Sequence, residues 1–541
     1  MLLSTLVIAA CACAEATRAA AAALSSSTAS VYPLDLHGKF PSAETIAANA
    51  SQGLDATALG STSSSNLISN HTRFLPRDRT VLAYVTPWNQ PQGRENTEHY
   101  RGKLDIVAPA WYTVHVVPET EQAQHAAFES TGATGGEYDV RGGIPSDEDR
   151  AWVHRLRAPA RASSPVPGAA DVKLPPLLVT PRFQLEAWTE RDFQALRSDP
   201  LRWISLIGQI MMKMKDGPFD GAVFESAASW ALPEFIEHLG KSFASNNLTL
   251  TVVYPPLRTD GAAGNANVTR TAELLAQAIH TAAQKVQYVQ IMTYDHTGPT
   301  GRMLDMDKLG LADENPLRQD AEASRMRTYG PNLPLEFLQS NIDLLAKLSL
   351  DDGPLPGVGS GWKDLNGAAA DNFNASAPSF ASKFLMGVPC YGYSYSLIFL
   401  NSKTADGIPR VPTASPPRAR AHLPEAQAKA REQGLRKEAG KFALLRRAGS
   451  ALKHADLHAL MLASRPLIYL DDDSAEMRFD YISANGDDSK INDGRREGIF
   501  NRAFMPSAYT MIRRREIIEQ GDVGAALWDI GQAGPWLLHA L

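Results

Sequence analysis

Cysteine is scarce: the 541 residues contain three, and Cys11 and Cys13 both lie near the N-terminus. Downstream of them Cys390 stands alone, which excludes a disulfide framework. A fold without cross-links must rest on a large apolar core, and this length permits one. Cys390 itself is expected to be a small buried residue. Charge of one sign is also missing, with 53 Lys and Arg against 59 Asp and Glu and a net charge of -6. That balance gives no reason to expect nucleic acid or an anionic membrane as the main partner. No set of His, Cys, Asp and Glu has metal-ligand spacing, so no metal and no other cofactor is expected. No glycine-rich phosphate loop follows the first apolar strand, and no repeat of solenoid period occurs. Apolar runs long enough to span a bilayer are absent as well.

The N-terminus carries a shorter apolar run, "MLLSTLVIAACACA", closed by Ala12-Cys13-Ala14. Small residues flanking a variable one suit signal-peptide cleavage before Glu15. The expected division is a signal peptide over 1–14, a disordered Ala/Ser/Thr-rich linker over 15–75 and a folded body over 76–541. The linker has too few aromatics to offset its ordering entropy. A secreted, lysosomal or endomembrane-lumen location follows, with no membrane span after cleavage. N-x-S/T sequons at Asn49, Asn70, Asn247, Asn267 and Asn374 add weak support.

Strand-like runs recur through the body: "TVLAYVTPWN" (80–89), "LDIVAPAWY" (104–112), "LLVTPRF" (177–183), "FDGAVFE" (219–225), "LTLTVVYPP" (248–256), "VQYVQIMTYD" (286–295), "KFLMGVPCYG" (383–392) and "GAALWDIG" (524–531). Several are continuously apolar, as strands covered on both faces of a parallel sheet are. Amphipathic segments lie between them, among them "EFIEHLGKSFA" (234–244) and "RTAELLAQAIHTAAQ" (270–284). Ser146 and Asp149 form a capping-box pattern ahead of "RAWVHRLRA". The expected class is α/β, a (β/α)8 TIM barrel with a small α+β insertion between strands 7 and 8. Two further stretches read as inserted: a loop-like one about 115–175, and a basic, helix-prone one about 403–460 that reads as a solvated surface helix.

In such barrels functional groups gather at the C-terminal strand ends. Here those ends carry Trp88 and Asn89, Trp111 and Tyr112, Arg182, Glu225, Tyr254, Tyr294 and Asp295, Tyr391, and Trp528. Aromatic rings around a few polar groups suit sugars, whose pyranose faces are apolar. Any one of these aromatics could equally be core packing.

In shared order, these strand motifs resemble family 18 glycoside hydrolases, the chitinases and their non-enzymatic relatives. The matching pieces are "VLAYVTPWN", "PRFQLEAWTERDF" (181–193), "FDGAVFE", "IMTYD" (291–295), "FLMGVPCYGYSY" (384–395), "IYLDDDSAEMRFDYIS" (468–483) and "GAALWDIGQ" (524–532). The active family pattern on the fourth strand is D-G-x-D-x-D-x-E, its last residue the general acid. With Asp220-Gly221 in register, Val223 and Glu225 occupy the Asp positions and Ala227 the position of the acid. Strand alternation would give 223, 225 and 227 a common inward face, about 6.5–7 Å apart, with Glu225 one layer below the site of the acid. A general acid must reach the bridging oxygen within about 3 Å, and alanine has no proton to give.

The resemblance implies that Tyr294 and Asp295 contact an N-acetyl group and that Trp528 floors the central sugar subsite. Tyr391 follows the seventh strand in the matching turn, and Trp88, Arg182 and Glu225 complete the candidate carbohydrate-binding set. The expected function is binding of chitin-like or N-acetylated oligosaccharides by a catalytically impaired barrel, with no catalytic residue except Glu225 as a weak candidate. Two alternatives remain open: a weak hydrolase using Glu225 as acid, and a non-catalytic protein-binding scaffold. A sorting receptor is a further partner class compatible with the lumenal reading.

Overall fold

The computed structural model describes residues 73–117, 137–162, 172–258, 266–303, 327–351, 379–399, 443–445, 448–464, 466, 468–483 and 499–541. The signal peptide, nearly all of the linker, the sequons at Asn49, Asn70 and Asn374, and most of 403–460 lie outside these residues.

The architecture is mixed α/β around one curled eleven-stranded sheet. In chain order its strands are β1 (Val81–Val85), β2 (Ile106–Pro109), β3 (Tyr112–Val116), β4 (Tyr138–Gly142), β5 (Leu178–Val179), β6 (Arg182–Leu185), β7 (Gly221–Glu225), β8 (Thr249–Tyr254), β9 (Tyr288–Ile291) and β10 (Phe384–Pro389). A small antiparallel sheet follows, of β11 (Gly392–Phe399), β12 (Ala443–Leu445), β13 (Ser450–Leu452), β14 (Ile468–Leu470), β15 (Met477–Ser483) and β16 (Ile499–Met505). The last strand of the large sheet is β17 (Gly524–Trp528).

Parallel pairing runs β6–β7–β8–β9–β10–β17–β1–β2–β5. Its two ends, β5 and β6, belong to one chain segment, 178–185, so the pairing returns to its starting point as a ring. Thr180 donates back to Val107 and Val223 to Pro181 across the break between them. β3 and β4 form a hairpin rising from this ring. All eight expected strands are present within it.

Alternation along the strands separates two cores. Leu82, Tyr84, Ile106, Ala108, Val223, Val253, Leu385 and Ala526 fill the inside of the ring. Their strand neighbours, among them Ala83, Val107, Phe224, Val252, Met386 and Leu527, face outward into the main core. Helices cover that outer layer: α1 (Gln90–His99), α2 (Asp147–Arg157), α3 (Glu190–Ser198), α4 (Pro200–Lys213), α5 (Pro233–Ser245), α6 (Ala266–Ala283), α7 (Leu335–Asp351) and α9 (Ala508–Gln520), with α8 (His454–Ser464) beside the small sheet. The two segments expected to be helical, 234–244 and 270–284, fall in α5 and α6.

Local chemistry explains several boundaries. Ser146 caps α2 by accepting the Asp149 N–H at 3.1 Å, although its reciprocal partner is the Asp149 carboxylate rather than a backbone group. The loop-like reading of about 115–175 needs correction where residues are described. β4 pairs with β3 there, and Ala160–Ala162 pairs with Val172–Leu174. The end of the 403–460 stretch is likewise not a free surface helix, since β12 and β13 join β11 in the small sheet and α8 follows. Cys390 is fully buried, and burial pushes its thiol far above the usual range. Among the described residues no helix is long and apolar enough to cross a membrane, and no group of three metal-ligating side chains occurs.

At the opposite end of the ring from the strand C-termini, Lys103 is completely buried and its Nζ donates to the His539 carbonyl at 2.8 Å. Burial lowers the Lys103 pKa to about 7 and, with the Lys103 charge adding to it, that of His539 to about 4. Both groups bind fewer protons folded than unfolded, so each makes stability rise with pH. For His539 the window runs from about 4 up to 6.5, and for Lys103 from about 7 up to 10.5. Acidification through the His539 window is expected to cost about 1–2 kcal/mol, the shift being discounted for partial exposure. The His539→Phe variant keeps a ring against Tyr100 and should flatten the dependence of Tm on pH there. Parallel pH profiles for the two proteins would refute this.

Candidate functional site

The C-terminal ends of the ring strands bring together side chains from distant parts of the chain. Trp528, the last residue of β17, is half-buried at the mouth, and the peptide bond after it is cis. Tyr294 lies nearly parallel to its indole, with centroids 6.1 Å apart and planes at 16°. Tyr84 meets the same indole edge-on at 4.9 Å. The Arg182 guanidinium carbon lies 5.3 Å from the indole centroid, within cation–π range. Groups from β1, from β6 and from the segment after β9 therefore converge on the tryptophan that ends β17.

Register explains the polar half of the cluster. Arg182 pairs with Val223 across β6 and β7, which places Glu225 one inward step up and diagonal to it. The long arginine reaches that step, and its Nη1 donates to Glu225 Oε2 at 3.2 Å. Both side chains are largely buried, at 7% and 15% exposure. Below them the Tyr84 hydroxyl donates to Gln290 Oε1 inside the ring. Burial, reinforced by the Glu225 charge, pushes the phenols of Tyr84 and Tyr294 well above the usual range. They stay neutral hydroxyls, able to donate and accept.

Gly387 on β10 leaves the space that Tyr294 occupies. A Cβ there would lie 2.8 Å from two Tyr294 ring carbons and from the Ile291 carbonyl oxygen. Gly387→Ala is expected to push the ring off Trp528 and cost roughly 1–3 kcal/mol. Unchanged tryptophan fluorescence and an unchanged Tm would count against that.

Asp295 turns away from the simple role of a ligand contact. Its backbone is left-handed, φ 57°, its N–H donates to Asn332 Oδ1 at 2.8 Å, and its Oδ1 accepts from Tyr393 at 2.7 Å and also from Tyr391. Tyr391 is itself buried. The expected pair Tyr391 and Asp295 is brought together, but as a clasp between the ring and the small sheet.

Several sequence expectations are corrected at this end of the fold. The inward face shared by 223 and 225 does not extend to 227, because β7 stops at Glu225. Ser226 Oγ accepts the Ala228 N–H at 3.1 Å, the chain turns, and Ala227 is exposed. Glu225 is thus the uppermost carboxylate of its strand rather than a residue one layer below an acid position on the same strand. Trp88 is 61% exposed on the turn Pro87–Asn89 and makes no ring contact with the Trp528 cluster. Trp111, Tyr112 and Tyr254 belong to the outer core, Tyr112 stacking on Phe183 at 4.5 Å. Tyr254 points outward because its strand neighbour Val253 points in. Asn89 binds the Asp529 carboxylate at 3.0 Å and accepts from Lys453 at 2.9 Å.

Three residues of interest were not singled out by sequence reasoning. Tyr84 and Gln290 were hidden in largely apolar runs, although the second Gln of "VQYVQIM" sits within the strand, where its side chain faces inside the ring. Trp230, 52% exposed, stands on the turn Ser229–Ala231 just after β7.

Chemically, the cluster offers apolar ring faces flanked by a donor, an acceptor and two neutral phenols. Arginine can only donate, so the Glu225 oxygen that meets it serves as the acceptor of that hydrogen bond.

No family model matches the chain. Among solved structures it is similar to a chitinase from Chromobacterium violaceum, at 14% identity and a TM-score of 0.49, covering 85% of this chain and 97% of that one. It is also similar to a class V chitinase from Pseudomonas fluorescens, at 14% identity and a TM-score of 0.47, covering 86% and 98%. A third is YKL-39, solved with chitooligosaccharides, at 12% identity and a TM-score of 0.43, covering 85% and 98%. Likeness of this degree assigns the chain neither an activity nor a ligand.

Proposed function

We propose that this chain is a lectin-like carbohydrate-binding protein, its curled sheet a (β/α)8 barrel of the chitinase-like family 18 kind. It resembles in particular the non-enzymatic stabilin-interacting chitinase-like lectin. The ligand class is a chitin-like oligosaccharide of N-acetylated sugars, met in a secreted or lysosomal setting. One observation carries the reading: the half-buried Trp528 at the strand ends, with Tyr294, Tyr84, Arg182 and Glu225 around it. Trp528 would floor a sugar ring, Tyr294 and Arg182 would donate to its polar groups, and Asp295 with Tyr391 would hold Tyr294's turn in place. Trp88 and Trp230, exposed on turns after β1 and β7, would flank a longer ligand.

Absence of turnover follows from the fourth strand. Ala227 has no acid, and Glu225 accepts from Arg182 instead of offering a proton. The test is calorimetric titration with chito-oligosaccharides beside a hydrolysis assay on a fluorogenic chitobioside. Saturable binding with no turnover, in both wild type and Glu225→Gln, is the expected result. The second reading, a weak hydrolase, draws on the position of Glu225 at the very end of β7. Slow cleavage that vanishes in Glu225→Gln would establish it and displace the first.

A further inference from the structure

Away from the mouth, we propose that Asn247 is an N-glycosylation site whose glycan lies in an apolar groove between α4 and α5. The groove encloses about 520 Å³ and is lined by Trp203, Ile204 and Met211 of α4 and by His238, Ser242 and Asn246 at the α5 side. Its wall is unusually apolar for an outer surface, with Ile204 68% exposed. The rings of Trp203 and His238 stand 5.3 Å apart in the groove. Apolar walls with ring faces and a few amide and hydroxyl groups suit pyranose rings.

The occupant is chosen by what is attached beside the groove. Asn246 lines it, and the next residue opens the sequon Asn247-Leu248-Thr249. Asn247 is exposed at the tight turn between α5 and β8, with φ 55° in the left-handed region that asparagine tolerates. Its N–H donates to the Ala244 carbonyl at 3.1 Å, which holds the turn that exposes the residue. A sugar bound there starts one residue from the groove wall, whereas a separate partner would have to find the groove unaided.

Thr249 adds a constraint on timing. It is buried in β8, and its hydroxyl donates to the Asp220 carbonyl at 3.2 Å. A transferase that must read this threonine has to act before β8 joins the ring, during synthesis rather than on the folded chain. In the step itself the Asn247 amide nitrogen bonds to the anomeric carbon of an oligosaccharide carried on a polyprenyl diphosphate. The carbon–oxygen bond to the diphosphate breaks, and the amide gives up one proton.

The experiment is peptide mass spectrometry on the full chain made in a eukaryotic secretory pathway. A glycan on the Asn247 peptide, retained in Thr249→Ser and lost in Asn247→Gln, is expected. Enzymatic removal of the glycan from the folded protein should raise hydrophobic-dye fluorescence at least twofold, and Ile204→Glu should suppress the rise. Removal after folding keeps this readout valid even where Asn247→Gln folds poorly. An unmodified Asn247, whether or not the other sequons are occupied, overturns the site. Dye fluorescence indifferent to glycan removal overturns its placement in the groove.

Discussion

Replacing Trp528 with alanine is expected to weaken chito-oligosaccharide binding by about 30-fold or more, the loss of roughly 2 kcal/mol typical of a central aromatic anchor. The indole is the one ring touched by Tyr84, Tyr294 and Arg182 together, so its loss removes the floor and loosens the three groups that flank it. Trp528→Phe should keep part of the affinity, because a smaller ring still presents an apolar face. Calorimetric titration checks the loss, with Tm measured alongside to separate binding from folding. Full affinity in a folded Trp528→Ala protein would remove the basis of the proposed function. Trp230→Ala, by contrast, should spare short ligands and weaken only long ones.

Glu476→Ala is expected to destabilise the fold by about 3–5 kcal/mol and to lower Tm by roughly 10 °C. Glu476 and Arg514 are both completely buried and meet at 2.5 Å. Glu476 also accepts the N–H groups of Asn332 and Leu333, each at 3.3 Å, while Arg514 donates to the Leu333 carbonyl at 3.2 Å. Removing the carboxylate would strand a buried cation and two backbone donors at once. Burial alone pushes the carboxyl of Glu476 up and the guanidinium of Arg514 down, so each depends on the other for its charge. The double variant Glu476→Leu/Arg514→Met should recover much of the loss, since an apolar pair of similar volume leaves no charge uncompensated. Urea denaturation of the single and double variants decides it. Equal destabilisation in both would mean that shape, not charge, governs this junction between α9 and the small sheet.

The eight ring strands were legible because strands buried on both faces must be continuously apolar, and few other segments are. The same continuity hid which residues point inward. "VLAYV" gives no sign that Tyr84 faces the ring and Val85 the helices. The site residues Arg182, Glu225, Tyr294 and Trp528 could be read because each is polar or aromatic at a strand terminus. The misreadings of Ala227 and Asp295 share one cause, the assumption that alternation continues past the last paired residue. Ser226 takes a turn hydrogen bond that stops β7, and Asp295 adopts a left-handed backbone that swings it toward two tyrosines. Tyr112 and Tyr254 fail for another reason: each sits at a strand terminus, yet its side chain packs into the outer core.

The end of the fourth ring strand at Glu225 limits what a single substitution at position 227 could add to the proposed site. A glutamate introduced at position 227 would stand on an exposed turn beyond the last paired residue of β7. Giving this scaffold an acid would take redesign of the Ser226–Ser229 bend so that two more residues stay paired with β8, and only then the new carboxyl.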